Sequence, residues 1–160
     1  MILRPYLRSS HASVELRGRL WVTGGKNNRE GLSSTEFIST SGVVRPGPDL
    51  PQKRDDHCMV KLRDERVMIL GGFPATKSVI IYNPNDKTFS EGPNLLEERI
   101  SSACTVFKSK AHGGRQVVMI IGGRNFAEIW DYEKNGTTWE KSNYLYPLLT
   151  FMCEPYNSHR

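Results

Sequence analysis

The chain has 160 residues, of which 38% are hydrophobic and 24% are charged, an ordinary composition for a globular protein. Its formal net charge of +5 bears on solubility and on weak attraction to acidic partners, and it does not indicate a fold. No apolar stretch approaches the roughly 18 residues that a membrane helix requires. The N-terminal residues also lack the apolar segment of a signal peptide. We therefore expect no membrane association.

Three cysteines occur, at positions 58, 104 and 153. Three thiols cannot all pair within one chain, so the sequence does not predict a disulfide framework. Reduced thiols favour a cytoplasmic protein. We expect Cys58 and Cys104 to act as small buried hydrophobic residues.

An apolar run that ends on two glycines occurs three times, in residues 20–25, 67–72 and 117–123. The first glycines of these runs are 47 and 51 residues apart. A repeat of about 50 residues predicts small equivalent units that share a core. Such glycines suit crowded strands, or a backbone with positive φ.

Each unit predicts four short strands, a to d in chain order, separated by turn residues. In the first unit the predicted strands are 11–16, 19–23, 35–39 and 43–45, and the polar run 26–31 is predicted to be a loop. In the second unit they are 57–62, 67–70, 78–82 and 88–90. In the third unit they are 103–107, 117–121, 128–132 and 138–140. No segment shows a sustained helical period, so the fold is predicted to be all-β.

Aromatic residues recur together with the glycines. Tyr82 and Phe89 are seven residues apart, as are Tyr132 and Trp139, while Phe37 and Val44 take the corresponding places in the first unit. A turn between the two members predicts that each pair lies on neighbouring antiparallel strands and packs against the next sheet. The predicted structural repeat positions are Gly24, Gly25, Gly71, Gly72, Gly122, Gly123, Phe37, Tyr82, Phe89, Tyr132 and Trp139.

These features together resemble the kelch repeat: the Gly-Gly doublet, the aromatic pair, and a short link that carries an arginine. The resemblance covers about residues 8–143, and it is weakest in the first unit, where Val44 stands in place of the usual Trp. It implies four-stranded antiparallel blades at 5–48, 54–93 and 99–143, which form an incomplete or open β-propeller, with a divergent tail at 144–160. Arg8, Arg54 and Arg99 recur before strand a, and we expect them to brace adjacent blades.

Propellers usually close with four to eight blades, whereas this chain predicts three. Four interpretations stay open: a fragment of a longer kelch protein, which we rank first, a dimer that closes a six-blade ring, an open fan covered by the tail, or a nonfunctional truncated product. Bare blade edges would also allow self-association.

The resemblance implies a non-catalytic module that binds an unknown protein or peptide through the loops of one propeller face. The candidate contact residues lie in the loops after the glycine doublets: Lys26, Asn28, Arg29, Phe73, Lys77, Arg124 and Asn125. Two alternatives are part of a galactose oxidase-like copper enzyme and a scaffold of the actin-binding type.

No catalytic motif is present, and no two histidines have metal-ligand spacing, so we expect neither an enzyme nor a cofactor. His11 and His57 open the same strand in two units, which favours structural roles. The turns between strands a and b carry many cations and few acids, which predicts a positive face. Nucleic-acid binding is not expected, because aromatic residues do not alternate with these cations.

Overall fold

The computed structural model describes residues 7–28, 30–123, 126–134 and 136–142. In these residues the fold is all-β and antiparallel, as predicted, with three four-stranded sheets and one two-stranded hairpin. The only helical elements in these ranges are two short 3-10 turns, Lys110–His112 and Tyr132–Lys134. Candidate sites at Arg29, Arg124 and Asn125, and the tail from residue 143, lie outside the described residues.

The strands of each sheet follow one another in chain order. Sheet 1 contains β1 (Ala12–Leu16), β2 (Arg19–Thr23), β5 (Thr35–Ser39) and β6 (Val44–Pro46). Between β2 and β5 lies a hairpin of β3 (Lys26–Asn27) and β4 (Glu30–Gly31). Sheet 2 contains β7 (Cys58–Lys61), β8 (Val67–Leu70), β9 (Val79–Asn83) and β10 (Thr88–Glu91). Sheet 3 contains β11 (Ala103–Lys108), β12 (Gln116–Ile121), β13 (Ala127–Trp130) and β14 (Glu140–Ser142).

The three sheets stack side by side, with β7 packed between β1 and β11. Sheet 2 is therefore buried on both faces. Val67 and Ile69 of β8 pack towards sheet 1, whereas Met68 and Leu70 pack towards sheet 3. Because side chains alternate along a strand, a strand covered on both faces requires an unbroken apolar run. The run from Val67 to Leu70 meets that requirement.

The glycine doublets lie where backbones of neighbouring units meet. Gly71 and Gly72 have φ values of 60° and 86°, which side chains rarely adopt. A Cβ atom on Gly71 would lie 2.5 Å from the carbonyl oxygen of Arg99, and one on Gly72 would lie 2.5 Å from that of Asp55. Both reasons predicted for glycine at this position, crowding and positive φ, are therefore present.

The repeated arginines connect adjacent units, as predicted. The backbone N–H groups of Gly25 and Gly72 donate to the carbonyl oxygens of Arg54 and Arg99, each at 2.8 Å. The guanidinium of Arg54 then donates to the carbonyl of Gly71 in its own unit, at 2.7 Å. Each arginine thus bonds to one sheet through its main chain and to the next through its side chain.

The third unit departs from the prediction in its last two strands. Strand β13 ends at Trp130, and Tyr132 lies in a 3-10 turn instead of a strand. Tyr82 and Phe89 are direct cross-strand partners with ring centroids 5.0 Å apart. In sheet 3, however, it is Trp130 that contacts Trp139, at 6.0 Å. The connection between β13 and β14 is longer than the one between β9 and β10. The cross-strand register, and not a fixed spacing of seven residues, therefore determines which residue contacts Trp139.

The first unit also differs from the prediction at two places. Phe37 pairs across the strands with Arg45, whereas Val44 pairs with Ile38. Residues of adjacent strands that pair directly share a face, so Phe37 and Val44 lie on opposite faces of sheet 1. The polar run after Gly25 was predicted to be a loop, but it contains the β3–β4 hairpin, in which Lys26 pairs with Gly31 and Asn27 with Glu30, and Lys26 also exchanges two main-chain hydrogen bonds with Ser9.

The prediction of free thiols is wrong for two of the cysteines. A disulfide joins Cys58 to Cys104, whose Cα atoms are 6.0 Å apart. They occupy strands β7 and β11, the first strands of neighbouring sheets, so lateral packing brings two equivalent repeat positions together. The thiol argument for a cytoplasmic location therefore fails.

Removing this disulfide should lower the free energy of unfolding by roughly 2–4 kcal/mol. The bond spans a sequence separation of 46 residues, for which the chain-entropy relation gives about 4 kcal/mol. Urea unfolding of Cys58→Ala/Cys104→Ala should match that of the protein in reducing agent, with both proteins carrying Cys153→Ser to prevent thiol exchange. Equal stability of the oxidised protein and the double variant would contradict this expectation.

Candidate binding surface

The loops between the second and third strands and the links between sheets meet at one end of the stack, here called the loop end. Asp55 of the first link forms a two-way backbone bridge with Phe73, with both N–O distances between 2.8 and 3.0 Å. The arginine links described above contact the glycine doublets at the same end. The links between sheets and the loops after the glycine doublets are therefore in direct contact at this end.

The described candidate residues at the loop end differ in their environments. Phe73 is 59% exposed and is the one aromatic residue among the exposed large hydrophobic residues of the described ranges. Lys77 donates from Nζ to the carbonyl oxygen of Leu96 at 2.8 Å. Asn28 is exposed at a φ of 42°. The side chains of Phe73 and Lys77 are thus exposed, while their backbones form hydrogen bonds with Asp55 and Leu95.

Lys26 meets two acids that the sequence reasoning did not single out. Its Nζ lies 3.6 Å from the carboxylate of Asp56 and 4.0 Å from that of Asp55. Burial and a hydrogen bond with Asp56 raise the pKa of Asp55. Burial also acts to raise the pKa of Asp56, but hydrogen bonds from Ser10 and Asp55, with the charge of Lys26, outweigh it and lower the pKa. The loop end thus carries an acidic pair with unequal proton affinities.

Asp56 belongs to a row of equivalent positions, each two residues after a link arginine. Ser10, Asp56 and Ser101 have φ values of 53°, 52° and 54°. The N–H of Asp56 donates to the carbonyl of Ser10, and the N–H of Ser101 donates to that of Asp56, both at 2.9 Å. The common spacing from Arg8, Arg54 and Arg99 is the sequence signal that could have identified this row. The row was missed because a positive φ is not expected at residues other than glycine.

His57 has a structural role, as predicted. It is buried, and its Nε2 lies 2.8 Å from the hydroxyl of Thr23 in the neighbouring sheet. Burial, followed by the charges of Arg54 and His11, lowers the pKa of His57 to about 3. The ring is therefore neutral at neutral pH and packs between sheets 1 and 2. His11 is exposed.

The opposite end of the stack, here called the turn end, is less positive than predicted. Lys61 pairs with Glu15 and Glu65, while Arg115 pairs with Asp131 at 2.8 Å. The turns between the third and fourth strands bring further acids to this end: Asp86, Asp131 and Glu133. The sequence reasoning counted only acids near the first turn of each unit, and so it missed the carboxylates in the turns between the third and fourth strands.

The described ranges contain no group of three or more His, Cys, Asp or Glu side chains arranged to hold a metal ion. The copper-enzyme alternative therefore has no ligand set in this part of the chain. Nor does any helix in these ranges have the length and apolar character needed to cross a membrane.

Comparison with known proteins gives one distant relative. Spermatocyte protein spe-26 of Caenorhabditis elegans is 28% identical over 155 residues. The match covers 88% of this chain and 25% of the relative, so the chain spans about a quarter of the length of the curated protein that it matches. No protein-family model matches the chain.

Proposed function

We propose that the three sheets are kelch-type blades of a β-propeller and that the chain is a non-catalytic module that binds a protein or peptide through its loop end. The observation that carries this proposal is that the three units share their structural residues but differ in their loops. The glycine doublet and the link arginine recur in each unit, whereas the loops that follow the doublets share neither length nor side chains. A constant scaffold with variable loops is typical of binding proteins.

Side-by-side packing of the first strands supports the propeller part of the proposal. In a propeller each sheet covers one face of its neighbour, and sheet 2 is covered on both faces in this way. Because propellers close with four to eight blades, the three described sheets would supply part of a ring.

The loop end offers the chemistry that a peptide partner requires. Phe73 presents an exposed aromatic ring, and Lys26 and Asp56 present both signs of charge beside the row of Ser10, Asp56 and Ser101. Aromatic anchors surrounded by polar groups are enriched at protein interfaces. Phe73 is therefore the side chain that we expect to contribute most to binding.

Selection from a random peptide library displayed on phage tests this proposal. Peptides that bind the 160-residue chain should lose at least about tenfold in affinity with Phe73→Ser/Lys77→Glu, as measured by fluorescence anisotropy. The matched control, Leu20→Ser/Lys110→Glu, makes the same chemical changes at exposed positions away from the loop end, and should leave affinity within about threefold.

Two results would overturn the proposal. One is a selection that enriches no binding peptide. The other is a set of peptides that bind the loop-end variant and the control variant equally well, because such peptides would contact a different surface.

A further inference from the structure

A cleft with four cations opens between sheets 1 and 2 at the turn end. It has a volume of about 440 Å³, and its lining includes the side chains of Arg17, Arg19, Arg45 and Lys87. None of the described residues that line it carries a carboxylate. This feature, here called the cationic cleft, lies away from the loop end, and its described lining includes none of Lys26, Asn28, Phe73 and Lys77.

The strand register of sheet 1 places two of these cations around one ring. Arg45 is the direct cross-strand partner of Phe37, and the guanidinium of Arg19 lies 4.5 Å from the centre of the same ring. Directly paired residues share a face, so Phe37 and Arg45 both face sheet 2. A smaller adjoining hollow of about 220 Å³ shares Arg19, Phe37 and Arg45 and so extends the charged surface.

Hydrogen bonds fix a further cation of the cleft, Arg17, without neutralising its charge. Arg17 donates to the carbonyl oxygen of Pro84 at 3.1 Å and to the side-chain oxygen of Asn85, which are both uncharged groups. Lys87 follows in the same turn, with a φ of 61°. Among the described residues, none of the four cations of the cleft forms an ion pair with a carboxylate.

Two acids near the cleft form no ion pair with its cations. Glu15 binds Lys61 and accepts from the backbone N–H of Gly18 at 2.7 Å. Asp86, which is next to Lys87 in the chain, accepts hydrogen bonds from Asn83 and from Thr88, and these neutral donors leave its charge in place. The four cations of the cleft thus exceed the nearby charge of Asp86 and lack a direct ion pair in the part of the chain that the structure describes, and an acidic ligand would provide one.

We propose that the cationic cleft is a second binding site, which takes an acidic peptide segment whose Asp or Glu carboxylates pair with Arg19, Arg45 and Lys87. Guanidinium groups match carboxylates through paired, charge-assisted hydrogen bonds. Three prolines, Pro46, Pro48 and Pro84, supply an apolar wall along which the peptide backbone can lie.

A single-stranded nucleic acid fits this cleft less well, because the aromatic faces are occupied. Trp21 stacks on Phe37 with centroids 5.8 Å apart and contacts Tyr82 at 4.6 Å. Arg19 covers Phe37, and Phe89 contacts Tyr82 at 5.0 Å. Base stacking needs a free ring face, and neither Phe37 nor Tyr82 provides one.

Fluorescence anisotropy with a labelled decapeptide of alternating Glu and Gly tests the proposal on the full chain at about 50 mM salt, where screening is modest. Binding should weaken at least about tenfold with Arg45→Glu/Lys87→Glu. The matched control, Arg63→Glu/Lys110→Glu, changes the net charge equally at the same end but outside the cleft, and should weaken binding less than about threefold. The neutral variant Arg45→Gln/Lys87→Gln should give an intermediate loss, with a melting temperature that shows it is folded.

Equal losses with the two charge-reversed variants would overturn the proposal, because only the net charge would then matter. No detectable binding of the acidic peptide would also overturn it, as would tighter binding of oligothymidylate that the cleft variant abolishes. The loop-end variant Phe73→Ser/Lys77→Glu should keep its affinity for the acidic peptide. The two proposed sites can therefore fail independently.

Discussion

Arg99→Met is expected to lower the free energy of unfolding by about 3–5 kcal/mol, because it leaves a buried carboxylate without a counter-ion. The side chains of Arg99 and Glu128 are both 0% exposed, and their charged atoms are 2.9 Å apart. Glu128 also accepts from the backbone N–H groups of Leu96 and Glu97. Those two donors remain in the variant but carry no full positive charge.

Arg54→Met is the matched control within the same chain. Arg54 has the same place in its unit and donates to the carbonyls of Gly71 and Ser78, but the position of Glu128 is taken by Ile80. Burial lowers the pKa of Arg54 to about 10. Because no carboxylate is orphaned, Arg54→Met should cost only about 1–3 kcal/mol. Urea unfolding followed by circular dichroism measures both values, and an equal or larger loss for Arg54→Met would contradict this account.

Trp139→Ala should also cost about 3–5 kcal/mol, since the ring lies in the core between sheets 2 and 3. Trp139 is 3% exposed, its Nε1 donates to the carbonyl of Pro93 at 2.8 Å, and it contacts Trp130. The substitution removes both the packing and the link to the preceding sheet.

A second substitution at this position separates the two contributions. Trp139→Phe keeps much of the packing and loses the hydrogen bond, so the loss should be smaller than for alanine. Leu20→Ala is the surface control: its side chain is 43% exposed, and it should change stability by less than about 0.5 kcal/mol. Thermal melting checks all three, and a small effect of Trp139→Ala would place the ring outside the core.

The local pattern predicted most strands closely. For β2, β5 and β8 the predicted and observed bounds agree. This follows from short-range chemistry, since apolar runs bounded by glycine, proline and asparagine restrict where a strand can begin and end. The register of sheet 3 was not predictable in this way, because the connection after Trp130 is long and its Asn135-Gly136 turn signal does not fix the residue at which β13 ends.

The candidate surface was predicted only in part. Phe73 and Lys77 were identified because they follow a glycine doublet, and the structure places both at the loop end. Asp55 and Asp56 were missed, since their significance depends on Lys26, which lies almost thirty residues earlier in the chain. Among the cations of the cleft, Arg17 and Arg19 were counted only as part of a positive turn end, and Arg45 and Lys87 were not singled out, because sequence alone does not separate paired charges from unpaired ones.

The sequence by itself determined the all-β class, the repeat and the bracing arginines, because each depends on residue types at fixed short spacings. Only the tertiary structure decided the Cys58–Cys104 disulfide, the partner of Trp139 and the cluster of cations between sheets 1 and 2. These depend on how neighbouring sheets pack, and that packing joins residues that are distant along the chain. Local propensities restrict each strand, whereas side-by-side packing of the sheets determines which side chains meet.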